Sequence, residues 1–369
     1  MRVGLVMPGF SAGPDDWCIP ALRSFAACLA RTDEVRLLTL RYPYRPSRYA
    51  VEGVEVTALG GELARGQASL RLWRQALDVL AAEHRGRPFD VLHAFWATES
   101  GAVTALAGRW LGIPTLVSLA GGELVSMPSV GYGDALHPAE RVKVNLALRL
   151  ASGITVGSRY MLSLVPRSVR PRAARLPLGV DARRFIPGDM QRPAAVTTVV
   201  HVASLVPVKD QHTLLRAVAA ASQPVRLEVA GDGPLAAHLA HLAEELGVRD
   251  RVCFRGPVAH DCLPAVYRRA AAFALSSVHE AQAMAPLEAA ACGVPIVGTA
   301  VGVLPELCPD AALTVERGDW HALARALTGL LGDPERRASM GAAARRRVEA
   351  DFTVEQCVDR FRACYEHLR

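Results

Sequence analysis

The segment Glu280-Ala-Gln-Ala-Met-Ala-Pro-Leu-Glu288-Ala-Ala-Ala-Cys-Gly-Val-Pro-Ile-Val297 indicates both a fold class and a kind of site. Its Gly-Val-Pro at residues 293–295 is typical of a turn between a helix and a strand. The apolar run Val294 to Val297 is typical of a buried strand in a parallel sheet. The sequence therefore predicts Glu288 on a helix before this strand and Glu280 on the loop that leads into the helix.

These two carboxylates suggest a ligand site. Another apolar strand, Ala271 to Leu275, precedes Glu280, and ligands of open α/β sheets bind outside the carboxyl ends of parallel strands. A helix that begins near Met284 and Ala285 can bind a phosphate through its first N–H groups, and carboxylates accept hydrogen bonds from sugar hydroxyls. A purely solvated role is disfavoured because the residues around Glu280 are largely apolar.

Length and composition exclude several protein classes. The 369 residues exceed one typical core, so two domains are expected. A hydrophobic content of 51% with 21% charged residues describes a globular chain, and no apolar run reaches membrane-spanning length. The eight cysteines form no Cys-x-x-Cys pair. We therefore expect reduced thiols, a cytoplasmic protein and no zinc site.

Charge is distributed unevenly along the chain. Residues 1–187 contain 23 Lys and Arg against 15 Asp and Glu, a net charge of +8, whereas residues 188–369 have a net charge of −2. The basic half suits an anionic or membrane-associated acceptor, and peripheral attachment to the inner membrane face stays open, with plain solubility as the alternative. Basic residues do not alternate with aromatic ones as in single-strand binders, so we expect no nucleic-acid partner.

Strands and helices alternate through both halves of the chain. This order predicts α/β domains with doubly wound parallel sheets. A Pro- and Gly-rich linker at residues 176–188 separates the halves. We predict a Rossmann-like domain over residues 1–180, a second over residues 181–350 and a terminal helix over residues 351–369, with a central cleft between the two domains.

Lys209 is a candidate phosphate ligand. It follows the predicted strand that ends at Ala203, and the chain contains only one other lysine, Lys143, among 42 basic residues. A compact ammonium beside a phosphate explains a lysine in a chain that otherwise uses arginine. Chance is the alternative interpretation.

Two glycine-containing loops are weaker candidates. Gly231 opens a G-x-G-x-x-A pattern after a strand, but the next strand ends in Arg255 rather than an acidic residue, which argues against a dinucleotide. Gly13 lies in a flexible loop after the first strand, where a glycine lets the backbone approach a phosphate. Such loops are also common as simple turns.

Two further candidates lie in the first half. His93 closes a strand beside aromatic residues, and we weigh a binding or catalytic role equally against a satisfied core histidine. Gly121 and Gly122 precede Glu123 after the next strand, where the glycines leave room for a hexose and Glu123 either contacts an acceptor or caps a helix. The sequence contains no H-E-x-x-H or Asp-x-Asp motif, so we expect no metal.

Taken together, these features resemble the family 4 retaining glycosyltransferases, which have the GT-B fold. The resemblance covers most of the chain and is strongest from about residue 175 to 350. It is carried by five segments of this sequence: Leu178-Gly-Val-Asp-Ala-Arg-Arg-Phe185, Val202–Asp210, Ala230-Gly-Asp-Gly-Pro234, the E-x7-E pair Glu280 and Glu288, and Ala291–Val297.

The resemblance implies a metal-independent transfer of a sugar from a nucleotide-diphosphate sugar to an acceptor hydroxyl, with retention of the anomeric configuration and no other cofactor. The second domain is expected to hold the donor and the first domain the acceptor. In this interpretation Glu280 binds a donor-sugar hydroxyl, Glu288 the ribose and Lys209 the diphosphate. The remaining donor-site candidates are Ser204, Gly13, Met284, Ala285, Gly231, Arg255, Gly121 and Gly122, and His93 is a further catalytic candidate.

The sequence departs from the family pattern in three places. Ser204 replaces an arginine that binds phosphate, Ala281-Gln-Ala283 replaces Gly-Phe-Gly, and Ala120 replaces a histidine. These departures keep two alternatives open. One is a catalytically weak GT-B protein that binds a sugar nucleotide or partners an active enzyme. The other is a sugar-nucleotide epimerase that uses Glu123 and His93 as acid and base.

Overall fold

The structure, a computed structural model, describes residues 1–62, 64, 66–188, 198–222 and 225–369. The chain divides into two compact units. Unit 1 comprises Met1–Pro128, Tyr132–Gly179 and Val354–Arg369, and unit 2 comprises Ser129–Gly131 and Val180–Thr353. The predicted strand start at residue 197 lies outside the described residues, and that strand begins at Thr198.

Each unit contains a mainly parallel sheet flanked by helices. The strands of unit 1 are β1 Arg2–Gly9, β2 Glu34–Tyr42, β3 Ser47–Val51, β4 Val54–Ala58, β5 Val91–Phe95, β6 Thr115–Leu119, β7 Gly153–Val156 and β8 Ala173–Arg175. Its helices are α1 Pro20–Leu29, α2 Gln67–Gly86, α3 Glu99–Leu111, α4 Pro138–Leu150 and α5 Arg159–Leu164, together with α13 Val354–Leu368 from the end of the chain.

Unit 2 repeats the plan with shorter strands. These strands are β9 Thr198–Val202, β10 Arg226–Ala230, β11 Val252–Gly256, β12 Ala272–Leu275, β13 Ile296–Thr299 and β14 Ala312–Val315. Its helices are α6 Gln211–Ala220, α7 Ala236–Glu245, α8 Leu263–Arg269, α9 Met284–Ala291, α10 Leu304–Leu307, α11 Trp320–Leu331 and α12 Pro334–Asp351.

The strand order of unit 2 fixes where its ligand site lies. The strands are ordered β11-β10-β9-β12-β13-β14, and every pairing between neighbours is parallel. The chain order therefore reverses between β9 and β12. Such a reversal opens a crevice at the carboxyl ends of the two strands, where doubly wound proteins bind ligands. The predicted doubly wound α/β class is confirmed.

Unit 1 carries an addition that the sequence analysis missed. Its sheet order is β3-β4-β2-β1-β5-β6-β7-β8, and only the β3–β4 pairing is antiparallel among the described strands. Glu52 and Gly53 form the two-residue turn of this hairpin, both with positive φ (50° and 83°). A turn of that kind usually contains Asn-Gly or Asp-Gly, so the Glu-Gly dipeptide indicates a hairpin less strongly.

Helix α13 packs on unit 1. Its apolar side, with Val354, Val358 and Phe361, joins the core cluster that also contains α1 and the strands β1 and β5. Buried aromatic contacts reinforce this packing, because the Phe361 ring lies 5.0 Å from the Phe25 ring of α1 in an edge-to-face arrangement.

No helix in the described part of the chain is both long enough and apolar enough to cross a membrane.

Candidate functional site

Lys209 and Glu280 meet at the crevice of unit 2, although 71 residues separate them in the sequence. Lys209 follows β9 and Glu280 follows β12, and these strands are neighbours in the sheet. The Nζ atom of Lys209 donates to Oε1 of Glu280 at 2.7 Å. The two side chains are 23% and 11% exposed, so the pair faces the crevice without being fully solvated. The ammonium keeps two further donors for another anion.

Buried hydroxyls support this pair. Ser277 donates to the same Oε1 of Glu280 at 2.6 Å, and Ser276 donates to the backbone carbonyl of Lys209 at 2.8 Å. Thr299, on β13, donates to the carbonyl of Ser277 at 2.6 Å. Sequence analysis missed all three residues. Two consecutive serines directly after an apolar strand could have indicated polar side chains at the ligand crevice.

The N-terminus of α9 lies in the same loop. Met284 and Ala285 begin the helix, both are partly exposed, and no side chain caps them. The first N–H groups of a helix have no partner within the helix, and together with the helix dipole they favour an anion. Helix α9 begins four residues after Glu280, and the predicted binding of a phosphate at its N-terminus stays a prediction.

The residue before α9 has an uncommon backbone conformation. Ala283 has φ 74° and ψ 92°, a region that side chains other than glycine rarely adopt. Glycine stands at this position in the family pattern. The alanine is therefore strained at the entrance to the predicted phosphate-binding helix.

Glu288 is more deeply placed than a surface carboxylate. The residue is 8% exposed. The Tyr267 hydroxyl donates to Oε2 at 2.8 Å, and His260 Nε2 lies 3.1 Å from Oε1. Burial, followed by the charge of Glu288, raises the pKa of Tyr267 well above its usual value. Each carboxylate oxygen can still accept a second hydrogen bond, so a ribose role stays a prediction.

The segment around Lys209 is rigidly anchored. Asp210 has φ 45° and caps α6 by accepting from the N–H of Thr213. Gln211 donates through Nε2 to the carbonyl of Ser204 at 3.0 Å and lies 3.3 Å from Nε2 of buried His201. Ser204 itself is exposed, so the position where the family has an arginine provides no charge.

Gly231 is required by packing. A Cβ atom there would lie 1.9 Å from the carbonyl oxygen of Ala203, and its φ is 144°. Its N–H donates to the carbonyl of Gly256 at 2.8 Å. That N–H is therefore already used, and the predicted role of Gly231 in donor binding stays a prediction.

Arg255 lies on the edge strand β11. It forms an ion pair with Glu228 of the neighbouring strand β10, and its NH2 group donates to Oε2 at 2.9 Å. The Arg255 side chain is 39% exposed. The structure thus explains Arg255 by a cross-strand pair, and its predicted contact with the donor stays a prediction.

In unit 1, the prediction of His93 as a catalytic residue is wrong. The ring is completely buried. Nδ1 lies 2.7 Å from the Tyr365 hydroxyl of α13, and Nε2 lies 2.7 Å from the Ser118 hydroxyl. Burial lowers the pKa of His93 to about 3. The residue lies within β5, not at its carboxyl end, and faces the aromatic core around Phe361.

The space that a Cβ atom would take at Gly121 and Gly122 is occupied. A Cβ on Gly121 would lie 2.9 Å from the indole nitrogen of Trp96, and one on Gly122 would lie 2.9 Å from the Tyr132 ring. Close packing of these rings explains why both residues are glycine, and their predicted role in donor binding stays a prediction. Trp96, a non-glycine residue with φ 66°, is a constrained residue that sequence reasoning missed.

Glu123 is a structural carboxylate. It is 2% exposed and accepts from the backbone N–H groups of Ala97, Ala120 and Gly121 at 2.7 to 3.3 Å. Burial raises its pKa, and these N–H donors oppose that shift. It thus connects the loops after β5 and β6. Since the structure also places His93 in the core, it provides no support for the epimerase alternative based on this pair.

Gly13 is open. A Cβ there would meet no atom within 4 Å, so the loop has space, but no contact in the described residues points to a ligand. Its predicted role in donor binding stays a prediction.

Two surface cavities of unit 1 lie away from the predicted residues. They measure about 400 and 560 Å³, lie along α2, and share Arg36, Arg48, Val79 and Glu83 among their lining residues. Neither cavity is lined by a predicted site residue. Within the described ranges, no group of three or more His, Cys, Asp or Glu residues is arranged to hold a metal ion.

Sequence comparison identifies two family models that follow one another along the chain. Residues 19–179 match the glycosyl transferase 4-like domain, and residues 183–347 match the glycosyl transferases group 1. The D-inositol 3-phosphate glycosyltransferase of Mycolicibacterium smegmatis is 34% identical over 269 residues, which are 66% of this chain and 61% of that protein. The enzyme of the same name from Salinispora tropica is 32% identical over 77% of this chain and 65% of its own length. The chain thus spans less than two thirds of these relatives.

Solved structures show the same fold. Sucrose-phosphate synthase from Thermosynechococcus elongatus superposes with a TM-score of 0.83 at 22% identity, covering 100% of this chain and 98% of that one. Anabaena HepE, solved in complex with UDP-glucose, gives a TM-score of 0.74 at 20% identity, covering 99% and 100% of the two chains. These neighbours confirm the predicted GT-B fold. With both halves of the chain matched by glycosyltransferase models, this protein belongs to the group 1 and 4-like glycosyltransferases.

Proposed function

We propose that this protein transfers a sugar from a nucleotide-diphosphate sugar to an acceptor hydroxyl, with retention of the anomeric configuration. The observation that carries the proposal is the Lys209–Glu280 pair at the crevice of unit 2, beside the open N-terminus of α9. A cation and a helix terminus suit a diphosphate, and a partly exposed carboxylate suits a sugar hydroxyl. The neighbouring HepE structures contain UDP or UDP-glucose, which supports a nucleotide-sugar donor.

In this proposal each group has a distinct task. Lys209 keeps its bond to Glu280 and uses its remaining donors on the diphosphate, whose negative charge increases as the glycosidic bond breaks. The N–H groups of Met284 and Ala285 bind the same diphosphate. Glu280 accepts from a donor-sugar hydroxyl, Glu288 from the ribose, and Arg255 contacts the base.

The reaction is proposed to need neither a metal nor a cofactor. Lys209 and the α9 terminus supply the positive charge that a divalent ion provides in other sugar-nucleotide sites. We also propose a cytoplasmic location. The D-inositol 3-phosphate glycosyltransferases are relatives whose name specifies a phosphorylated acceptor, and an anionic or membrane-associated acceptor fits the net charge of +8 in residues 1–187.

One observation favours the second candidate, a catalytically weak protein that binds a sugar nucleotide or partners an active enzyme. Ser204 is exposed and uncharged where the family has an arginine, so the diphosphate loses one cation. Turnover separates the candidates, because a binder leaves the donor intact. If transfer occurs, proton NMR coupling constants of the first-formed product test retention, and an inverted linkage would contradict it.

A further inference from the structure

The orientation of the Glu280 carboxylate is fixed by two donors on one oxygen. The Ser277 hydroxyl donates to Oε1 at 2.6 Å, and the Lys209 ammonium donates to the same atom at 2.7 Å. Ser277 is 0% exposed, so water does not compete for its hydroxyl. A hydrogen bond between a hydroxyl and a carboxylate is among the stronger kinds.

This arrangement leaves the two carboxylate oxygens in different states. With two donors on Oε1, no protein donor in the described part of the chain reaches Oε2. Glu280 is partly exposed, so Oε2 is the acceptor that remains for a ligand. Without the Ser277 bond, the carboxylate could rotate about its last torsion, which is a soft one, and the distinction between the oxygens would disappear.

The serine is itself held in place. The Thr299 hydroxyl donates to the backbone carbonyl of Ser277 at 2.6 Å, and the N–H of Val278 donates to the carbonyl of Val208 at 2.9 Å. These bonds connect the loops after β9 and β12 to β13. Thr299 is also fully buried. The Ser277 side chain therefore acts from a rigid support, as precise positioning requires.

We infer that Ser277 is a positioning residue, which holds Glu280 so that Oε2 receives a hydroxyl of the donor sugar. The inference rests on the proposed function, and it assigns to this chain a residue that acts on the sugar and not on the nucleotide. Ser276 has a different task, because its hydroxyl bonds to the backbone of Lys209, the diphosphate ligand. The two adjacent serines thus support the two halves of the donor separately.

The experiment compares nucleotide with nucleotide sugar. Calorimetry measures the affinity of the wild type and Ser277→Ala for UDP and UDP-glucose, with GDP and GDP-mannose or ADP and ADP-glucose if the uridine pair does not bind. Ser277→Ala should leave the affinity for the nucleoside diphosphate unchanged and weaken that for the nucleotide sugar by about tenfold, as expected for a lost bond to a charged group. Ser277→Cys fills the same space with a weaker donor. Its affinity for the nucleotide sugar should lie between those of the wild type and Ser277→Ala.

Two further variants complete the design. In a Glu280→Ala background, adding Ser277→Ala should have no additional effect, because the residue acts only through Glu280. The matched control is Thr328→Ala on α11, which removes a buried hydroxyl without a protein partner in the described residues, and it should bind both ligands like the wild type.

The outcomes are distinct. If the wild type binds none of the nucleotides, the proposed function fails and the inference fails with it. If the wild type binds and Ser277→Ala weakens the affinity for the nucleotide and for the nucleotide sugar equally, Ser277 merely supports the fold of the loop. The inference is then overturned. An unchanged affinity of Ser277→Ala and Ser277→Cys for the nucleotide sugar also overturns it, while leaving the proposed function intact.

Discussion

The ammonium of Lys209 and the carboxylate of Glu280 are 2.7 Å apart, although they lie on loops that follow different strands. Their meeting depends on the position of β12 beside β9, where the strand order of unit 2 reverses. A ligand diphosphate at the α9 terminus would share Lys209 with Glu280. In the proposed function, the pair would therefore link recognition of the leaving group to recognition of the sugar.

Replacing Glu288 should destabilise the fold as well as weaken binding. Glu288→Ala leaves the buried Tyr267 hydroxyl without its acceptor, and an unsatisfied buried polar group costs about 1–3 kcal/mol. Urea denaturation of the full chain should show that loss in the free energy of unfolding. Glu316→Ala, at an exposed position, is the control and should stay within about 0.5 kcal/mol of the wild type. A Glu288→Ala protein of wild-type stability would show that the Tyr267 bond contributes nothing.

Replacing Ala283 with glycine should stabilise unit 2. The residue has a positive φ, which costs roughly 1–2 kcal/mol for a residue with a Cβ, and part of the gain is offset by the greater freedom of glycine in the unfolded chain. We expect a net increase on the order of 1 kcal/mol by urea denaturation. Ala342→Gly, in the exposed interior of α12, should instead lose about 1 kcal/mol. If both substitutions destabilise equally, Ala283 is not strained.

Stability should fall as the pH falls below about 6.5. The pKa of His93 is lowered to about 3 and that of His201 to about 4, chiefly by burial. Between these values and the unfolded pKa of about 6.5, the unfolded chain binds protons that the folded chain does not. For each pH unit that the pH falls within this range, each of these histidines reduces the free energy of unfolding by roughly 1.4 kcal/mol. Above pH 6.5 this loss is absent, because both histidines are neutral in the folded and the unfolded chain.

The test is the difference between pH 7 and pH 5 in urea denaturation. His93→Gln keeps a polar side chain without the titrating ring, so its loss between the two pH values should be smaller than that of the wild type. An equal loss in both proteins would mean that His93 is not held neutral in the folded chain.

Chelation should not abolish transfer. In the proposed function, Lys209 and the α9 terminus would supply the positive charge that a metal otherwise provides. Turnover in EDTA should therefore equal turnover in untreated buffer. A loss that magnesium or manganese restores would overturn the metal-independent proposal.

The sequence predicted best where chain order alone determines position. Alternating strands and helices placed Lys209 and Glu280 at the carboxyl ends of parallel strands, and the structure brings their charges together. It predicted poorly where a residue type has two uses. His93 looked like part of a binding site, but it fills an aromatic core. Packing partners of that kind come from distant segments, such as Tyr365 of α13.

The hydroxyls that fix Glu280 illustrate the same limit. Ser277 is adjacent to the motif in sequence, but its bond to Glu280 depends on the loop conformation. Thr299 contributes only because β13 pairs with β12. A single sequence shows the residue types, and the sheet register decides which of them meet.

The most direct test of the central claim is the rate at which nucleoside diphosphate is released from a nucleotide sugar by the wild type, Lys209→Ala and Arg255→Ala. The account predicts release by the wild type and a loss in kcat of roughly a hundredfold or more for Lys209→Ala, because its cation stabilises the charge that develops on the leaving group. Arg255→Ala should lose much less, since Arg255 pairs with Glu228 at the sheet edge. Equal losses of kcat in the two variants would contradict the account. So would a wild type that releases no nucleoside diphosphate from UDP-glucose, GDP-mannose or ADP-glucose.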